Sequence, residues 1–278
     1  MWSFNPCGIL KNLRFNNSMR RQNVITLMYH NIALGRQQIA FREWQPAYDV
    51  SRDDFLAQLG RIRAAGNNQI TLTFDDGYRS LLEMLVELTE RARIPCVCFI
   101  TTAAIGQSGM LNRQEIRTLA EAGIKIGAHS HSHIFLENLT AAQLQAEVLA
   151  PQKILEDLTG QAVTTMSLPG GRYDRRVTEY AAQHGYQEMY ASIPGARRSR
   201  LVQQPALDLV PRWAVTSRTS IYELDLILRG GRRHYVKHRM LYSVGRAGKF
   251  LLGNHGYHRM WQRIQHLTTS TRSEKVTS

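Results

Sequence analysis

Two short stretches contain the residues whose types and spacing suit chemistry. In ITLTFDDGYRS, residues 70–80, an apolar run ends in the adjacent acids Asp75 and Asp76. Neighbouring carboxylates repel each other and disfavour a low-dielectric site, so such a pair needs a compensating charge. The second stretch, AHSHSHIF, places His129 and His133 four residues apart. Two imidazoles and one carboxylate form a facial set of ligands for a divalent metal ion, and that ion would also explain the acid pair.

The surrounding sequence predicts elements that bring these residues together. Apolar runs of period two alternate with segments of helical period, which is typical of βαβ units around a parallel sheet. About seven strands suit a barrel, and active sites in barrels lie at the carboxyl ends of strands. Taken alone, each stretch also fits a turn or a surface loop. The predicted strands are 24–30, 69–75, 95–101, 124–128, 163–168, 186–192 and 209–215, and the predicted helices are 51–66, 79–93, 112–123, 140–160 with a break at Pro151, 174–185 and 220–230.

The order of these motifs resembles that of the polysaccharide deacetylase family, the fourth carbohydrate esterase family, with its nodulation-type deacetylase domain. TFDDG is followed by HSxSH, while LMYHNI upstream and SLPGGRYD downstream are similar to flanking segments of many members. The resemblance covers roughly residues 20–220. It implies an α/β fold, a distorted (β/α) barrel of about seven parallel strands, and a metal-dependent hydrolase of amides or esters on N-acetylated sugars.

The resemblance also implies a role for each matching residue. Asp75 would be the general base, and Asp76 would bind the metal with His129 and His133. A water molecule activated by the metal would attack the acetyl carbonyl, and the backbone N–H of Gly170 would donate to the oxyanion. The expected cofactor is one divalent metal ion, with zinc favoured by the imidazole ligands and other divalent ions possible.

Three departures from the family pattern lead to further predictions. Ser167 stands where the family usually has an arginine that pairs with the catalytic aspartate, so Arg212 is predicted to replace it; an ordinary strand-end cation is the alternative. The Leu-x-His motif of the family's general acid is absent, and His30 is a candidate for a role in the same mouth. Gly170 replaces a groove tyrosine, so Trp213 is a candidate stacking face, although core packing is more typical of a strand aromatic.

The other polar residues of the histidine loop are expected to support the ligands. Ser130 matches a Ser or Thr that braces this loop in the family. His131 is expected to lie beside the ligands or in solvent, and not to bind the metal.

The positive charge of the chain is concentrated at its carboxyl end. The 278 residues carry a net charge of +13, but residues 229–278 hold 11 Lys and Arg and a single acid, Glu274. Aromatic residues lie among these charges, as in segments that contact an anionic membrane surface. Solvated cover for the barrel is the main alternative, and nucleic acid is not expected because no recognised motif accompanies the charge. The predicted domains are a catalytic domain at 20–230 and a basic extension at 231–278, whose end is expected to be disordered.

Composition narrows the class of protein further. Three cysteines support neither a disulfide framework nor a thiolate zinc site, and Cys96 and Cys98 are predicted to be buried thiols. The sequence has no apolar run of the roughly 18 residues that a membrane-spanning helix needs, and no secretory signal is recognised in it. The expected location is the cytoplasm, with peripheral membrane contact as an option.

The leading hypothesis is therefore a metal-dependent deacetylase of an N-acetylated saccharide or glycoconjugate. A deformylase or other amide hydrolase of a lipid-linked sugar at the cytoplasmic membrane face is the first alternative. A catalytically silent carbohydrate-binding relative is the second alternative.

Overall fold

The apolar runs of the sequence form a ring of parallel strands that helices cover from outside. The computed structural model describes residues 23–35, 38–66, 70–84, 87–88, 93–198, 207–231, 234–240 and 243. Adjacent strands of the ring pair in parallel, except the two at its opening. The strands are, in ring order, β1 (Asn23–Tyr29), β4 (Ile70–Phe74), β5 (Cys96–Ile100), β6 (Lys125–Ala128), β7 (Thr165–Ser167), β8 (Glu188–Ala191), β10 (Asp208–Pro211) and β11 (Trp213–Ala214).

One segment of chain brings the sheet back to its first strand. β10 pairs with β8, and β11 pairs with β1 through Leu27 and Trp213. Only Arg212 separates β10 from β11, so eight parallel strands nearly close a barrel. The predicted distorted barrel is confirmed, and the eighth strand arises because the predicted strand 209–215 is divided at Arg212. A further strand, β9 (Ala196–Arg198), pairs antiparallel with β1.

Several of the helices begin at a residue whose side chain caps them. Ser51 accepts a hydrogen bond from the Asp54 N–H, and capping boxes start the helices after Asn112 and Thr140. The helices are α1 (Arg52–Ala64), α2 (Ser80–Glu83), α3 (Arg113–Glu121), α4 (Ala141–Leu144), α5 (Ala150–Thr159), α6 (Arg175–Gln183) and α7 (Ile221–Leu228).

Several details differ from the expected elements. The α-helical part of the helix predicted at 79–93 is Ser80–Glu83 among the described residues, and it ends at Met84. The break predicted at Pro151 lies instead at Gln145–Leu149, where the helix widens for one turn. Pro151 itself lies in the first turn of α5, where a residue needs no backbone N–H partner. A short parallel pair, β2 (Asn31–Ala33) and β3 (Asp49–Ser51), lies outside the ring and was not predicted.

Packing in the described residues agrees with a chain that buries a large core. Cys96 and Cys98 are buried free thiols, as predicted. No helix among the described residues is long and apolar enough to cross a membrane. The extension begins with a helical segment at 234–240, where the sequence had indicated no regular element. Residues 244–278, which include the end that was predicted to be disordered, lie outside the described part.

Candidate active site

The carboxyl ends of the ring strands gather the polar residues that the sequence predicted for the site. Asp75 and Asp76 directly follow β4, His129 directly follows β6, and Ser167 is the last residue of β7. Arg212 reaches the same end of the barrel from between β10 and β11. These five side chains are buried, none of them more than 4% exposed.

Asp76, His129 and His133 form a compact set of three donor side chains. Their ligand atoms all lie within 4.8 Å of one another. Oδ1 of Asp76 is 3.3 Å from Nε2 of each histidine, and this buried oxygen has no hydrogen-bond partner among the described residues. An unpaired buried carboxylate oxygen is costly, and a cation between the oxygen and the two nitrogens would compensate it. The donor set therefore fits a divalent metal ion.

The ring of His129 is oriented for metal binding by a backbone contact. Its Nδ1 lies 2.9 Å from the carbonyl oxygen of Ser167. A carbonyl can only accept, so Nδ1 carries the hydrogen and Nε2 presents its lone pair to Asp76. Burial alone would raise the pKa of Asp76, but its contacts with His129 and His133 outweigh burial and hold that pKa well below its usual range. Asp76 thus has the ionised form that binds a metal.

A bidentate ion pair with Arg212 holds the carboxylate of Asp75. Arg212 donates from Nη1 to Oδ1 of Asp75 at 2.7 Å and from Nη2 to Oδ2 at 2.9 Å. The hydroxyl of Ser167 donates to the same Oδ2 at 2.9 Å, and Arg212 donates to that hydroxyl at 2.8 Å. Ser167 therefore occupies the expected place of an arginine, while Arg212 makes the contact with Asp75 that the sequence analysis anticipated.

The guanidinium of Arg212 is embedded in the barrel interior. It also donates to the hydroxyl of Thr73, and it lies over the rings of Phe99 and Tyr190 at 5.7 and 5.8 Å from their centroids. Burial raises the pKa of Asp75, but the charge of Arg212, assisted by His129, brings the net pKa below its ordinary value. Asp75 is therefore a carboxylate at neutral pH, as a proton acceptor must be.

The histidine loop and the acid turn hold strained backbone. Asp76, Ser130 and His133 are non-glycine residues with φ of 74°, 61° and 59°. Such conformations are uncommon and persist where surrounding contacts fix them. The Ser130 hydroxyl accepts from the His133 N–H at 3.0 Å, so Ser130 braces the loop where the family has a Ser or Thr.

Glu147 is a supporting residue that sequence analysis missed. Its buried carboxylate accepts the backbone N–H groups of His131 and Ser132 at 3.0 and 2.9 Å, and the Ser132 hydroxyl at 2.6 Å. His131 itself points to the hydroxyl of Thr102 at 2.9 Å and is not in the donor set. Its place beside the ligands agrees with the expectation for this residue.

His30 follows β1 and lies at the edge of the same mouth. Its ring packs at 4.1 Å from that of Tyr48, and its buried Nδ1 has no hydrogen-bond partner in the described part of the chain. Burial lowers the pKa of His30, while the charges of Asp76 and Asp75 oppose that shift. His30 is thus close enough to both aspartates to interact with their charges.

Gly170 and Trp213 have different surroundings. Gly170 has φ of 60°, and a Cβ there would lie 2.5 Å from the ring of Phe135, which follows the histidine ligands. A tyrosine at this position would not fit without displacing Phe135. Trp213 is 7% exposed and belongs to the core, the alternative that the sequence analysis considered more typical, so it provides no stacking face in the mouth.

The comparisons with known proteins agree with this geometry. The family model for polysaccharide deacetylase matches residues 63–189. YxkH of Bacillus subtilis, provisionally named a polysaccharide deacetylase, is 26% identical over 180 residues, which cover 61% of this chain and 64% of that protein. The peptidoglycan-N-acetylglucosamine deacetylase PgdA of Listeria monocytogenes is 30% identical over 118 residues, 42% of this chain and 24% of that one. The chain thus spans less than two thirds of the length of either curated relative.

The fold has close counterparts among solved structures. The crystal structure of a polysaccharide deacetylase from Bacillus cereus matches with a TM-score of 0.64 and 22% identity, covering 74% of this chain and 69% of that one. This likeness establishes the barrel. The segment that matches the polysaccharide deacetylase model, residues 63–189, includes Asp75, Asp76, His129 and His133, so the donor set and Asp75 lie in the part of the chain that is similar to this family.

Proposed function

We propose that this protein is a metal-dependent hydrolase that removes N-acetyl groups from a saccharide or glycoconjugate. The observation that carries the proposal is a buried carboxylate, Asp75, kept ionised by Arg212 beside the donor set of Asp76, His129 and His133. The name of PgdA, a peptidoglycan-N-acetylglucosamine deacetylase, supports this substrate class. A divalent metal ion, when bound, supplies Lewis-acid polarisation of the acetyl carbonyl and favours ionisation of water.

The residues of the chain divide the remaining work. Asp75 accepts a proton from the water molecule whose oxygen bonds to the acetyl carbon, and Arg212 and Ser167 hold its carboxylate in one orientation. The backbone N–H of Gly170 is assigned to the oxyanion. The carbon–nitrogen bond then breaks, and the amine that leaves takes up a proton.

We assign the donation of that last proton to His30, together with protonated Asp75. The support is its place at the mouth and its unpartnered Nδ1. The test compares an N-acetyl sugar with an aryl acetate whose phenolate leaves without protonation. His30→Gln should slow amide hydrolysis far more than ester hydrolysis, while His184→Gln, on α6, should change neither. Equal slowing of both substrates would remove His30 from this role.

Acetate release from a panel of N-acetylated oligosaccharides tests the proposal itself. Wild-type protein loaded with zinc should release acetate, and Asp75→Asn should lower turnover about 10²–10⁴-fold while keeping its metal. Asp157→Asn, an exposed aspartate of α5, is the matched control and should behave as wild type. Loss of metal in Asp75→Asn, or unchanged turnover, would overturn the assigned roles.

The same panel separates the alternatives. Formate release from an N-formyl sugar without acetate release would indicate the deformylase. Saccharide binding without hydrolysis at any metal loading would indicate a silent binding protein. The metal ion of this site is proposed to be zinc, and loading with zinc, cobalt, nickel or manganese before the assay tests that choice.

The basic extension leads to a separate proposal, that it contacts an anionic membrane surface from the cytoplasmic side. Among the described residues, seven large apolar side chains are exposed, and five of them lie on α7 and the helical segment 234–240. Apolar and basic side chains on one segment suit an interfacial location. The five are Ile221, Tyr222, Tyr235, Val236 and Met240.

Co-sedimentation of the full chain with vesicles tests this contact. Binding to anionic vesicles should exceed binding to neutral ones and fade with salt. Lys237→Glu together with Met240→Glu should weaken it, whereas Lys153→Glu, an exposed lysine of α5, should not. Equal sedimentation with both vesicle types would leave the extension as cover for the barrel.

A further inference from the structure

A second group of metal-ligating side chains lies outside the site already described. His234 and His238 are one helical turn apart on the segment 234–240, and their ring centroids are 4.2 Å apart. Glu223, in the first turn of α7, faces them, with its Oε1 3.3 Å from Nε2 of His238. One ligand atom from each of the three lies within 4.8 Å of the others. This cluster has the same donor types as Asp76, His129 and His133.

The outer cluster is separated from the mouth by the barrel wall. Successive side chains of a strand point to opposite faces, and Arg212 points into the barrel towards Asp75. Trp213 therefore points outwards, where its ring lies 5.6 Å from that of His234 and 5.5 Å from that of His238. A buried indole on one side gives the cluster an apolar wall that excludes water from part of it.

One nitrogen of this cluster is left unsatisfied by the described residues. Nε2 of His234 is buried and has no hydrogen-bond partner among the described residues. A buried nitrogen without a partner costs free energy, and a metal ion is the natural acceptor for its lone pair.

We propose that Glu223, His234 and His238 form a second site for a divalent metal ion, which fastens the helical segment 234–240 to α7. The ligands suit zinc, with water completing the coordination because Glu223 and His238 remain about a third exposed. The spacing of the histidines by four residues and a carboxylate from a second helix make the site depend on the docking of the extension. The site is structural, and it rests on neither the proposed deacetylase activity nor the inner metal.

Metal stoichiometry of the full chain tests the proposal. After saturation with zinc and removal of excess, wild type should hold two ions per chain by elemental analysis, and His234→Gln with His238→Gln should hold one. His129→Ala with His133→Ala should also hold one, from the outer cluster alone. His184→Gln controls for loss of a histidine elsewhere and should hold two. Two ions in the outer-cluster variant would overturn the proposal whatever happens at the inner site.

Glu223→Gln provides a second test that keeps both histidines and so guards against a folding failure. The affinity of the outer site for zinc should fall about 10–100-fold or more, since loss of a supporting group already has an effect of this size. Zinc should protect wild type from trypsin at the exposed Lys237 and Arg239, and this protection should disappear in Glu223→Gln. If zinc affinity and protection are unchanged, the cluster is only an ion pair between Glu223 and His238.

Discussion

The two clusters of one carboxylate and two histidines differ in how firmly the protein holds them. In the inner cluster, Asp76 and His129 are at most 4% exposed, and the Ser167 carbonyl fixes the His129 tautomer. The outer cluster stands on two helices, with Glu223 and His238 about a third exposed. A rigid, dry site beside an ionised base suits catalysis, whereas a half-open site between helices suits docking. Donor types alone therefore do not distinguish the two roles.

The largest expected effect comes from His129→Ala, which removes an inner ligand whose Nδ1 is anchored to the backbone. The inner ion should be lost and deacetylation should fall to background, because neither carbonyl polarisation nor water activation remains. His234→Ala, the corresponding change in the outer cluster, should leave turnover unchanged. Elemental analysis and acetate release check the pair, and retained activity in His129→Ala would contradict the assignment of the inner site.

Arg212→Met should destabilise the protein by about 3–5 kcal/mol, because it leaves Asp75 as an unpaired buried charge. In wild type the lowered pKa of Asp75 gives stability that is complete above the pKa of an unfolded Asp, about 4, and lost as pH falls through the folded pKa. The variant lacks the Arg212 charge, which is the largest influence opposing burial, so that pKa rises and the acid limb of kcat/KM should move to higher pH.

Denaturant unfolding at several pH values measures the first effect, and a pH–rate profile measures the second. Arg117→Met is the matched control, since among the described residues this arginine donates to a backbone carbonyl, that of Leu158, and to no carboxylate. It should leave the pH profile unchanged. An unshifted acid limb in Arg212→Met would mean that another group orients Asp75.

Much of this inner site was predictable because its signals are local. Strand ends follow from period-two apolar runs, and helix starts follow from caps such as Asn112 with Glu115, both of which depend on neighbours a few residues away. Asp75 and His129 then fall at strand ends without knowledge of the fold. Arg212 was found only because Ser167 left an arginine missing from the family pattern.

The parts that escaped prediction depend on contacts distant in sequence. Glu147 supports backbone 15 and 16 residues away, yet in the sequence it is an ordinary helix acid. The helical segment 234–240 has little apolar periodicity, and it packs against Trp213, about twenty residues earlier. The role of Glu147 and the helical segment 234–240 both depend on tertiary contacts, which no local sequence pattern indicates.

Glu147→Gln should produce an intermediate effect that sharpens the contrast in rigidity. The amide oxygen of glutamine is a weaker, uncharged acceptor for the two backbone N–H groups, and its NH2 group replaces the oxygen that accepts the Ser132 hydroxyl, so the histidine loop should loosen. Inner-site metal affinity should fall about 10–100-fold, as it does on loss of outer-shell partners. Glu156→Gln removes a carboxylate that accepts the Val163 N–H away from the site and should not change this affinity. Isothermal titration with zinc compares them, and equal affinities would make Glu147 a merely structural residue.

The smallest expected effect belongs to Glu223→Gln, and it decides whether the two clusters act independently. With saturating zinc, wild type should gain thermal stability from two sites, because an ion that binds only the folded state stabilises it by mass action. Glu223→Gln should lose the outer share of this gain while its turnover stays that of wild type, since Trp213 and the barrel wall lie between Glu223 and Asp75. Melting curves at increasing zinc, read beside acetate release from the same samples, make the comparison. A drop in turnover that tracks outer-site occupancy would show that the docked segment 234–240 helps to hold β11 and Arg212, and with them Asp75, in the active arrangement.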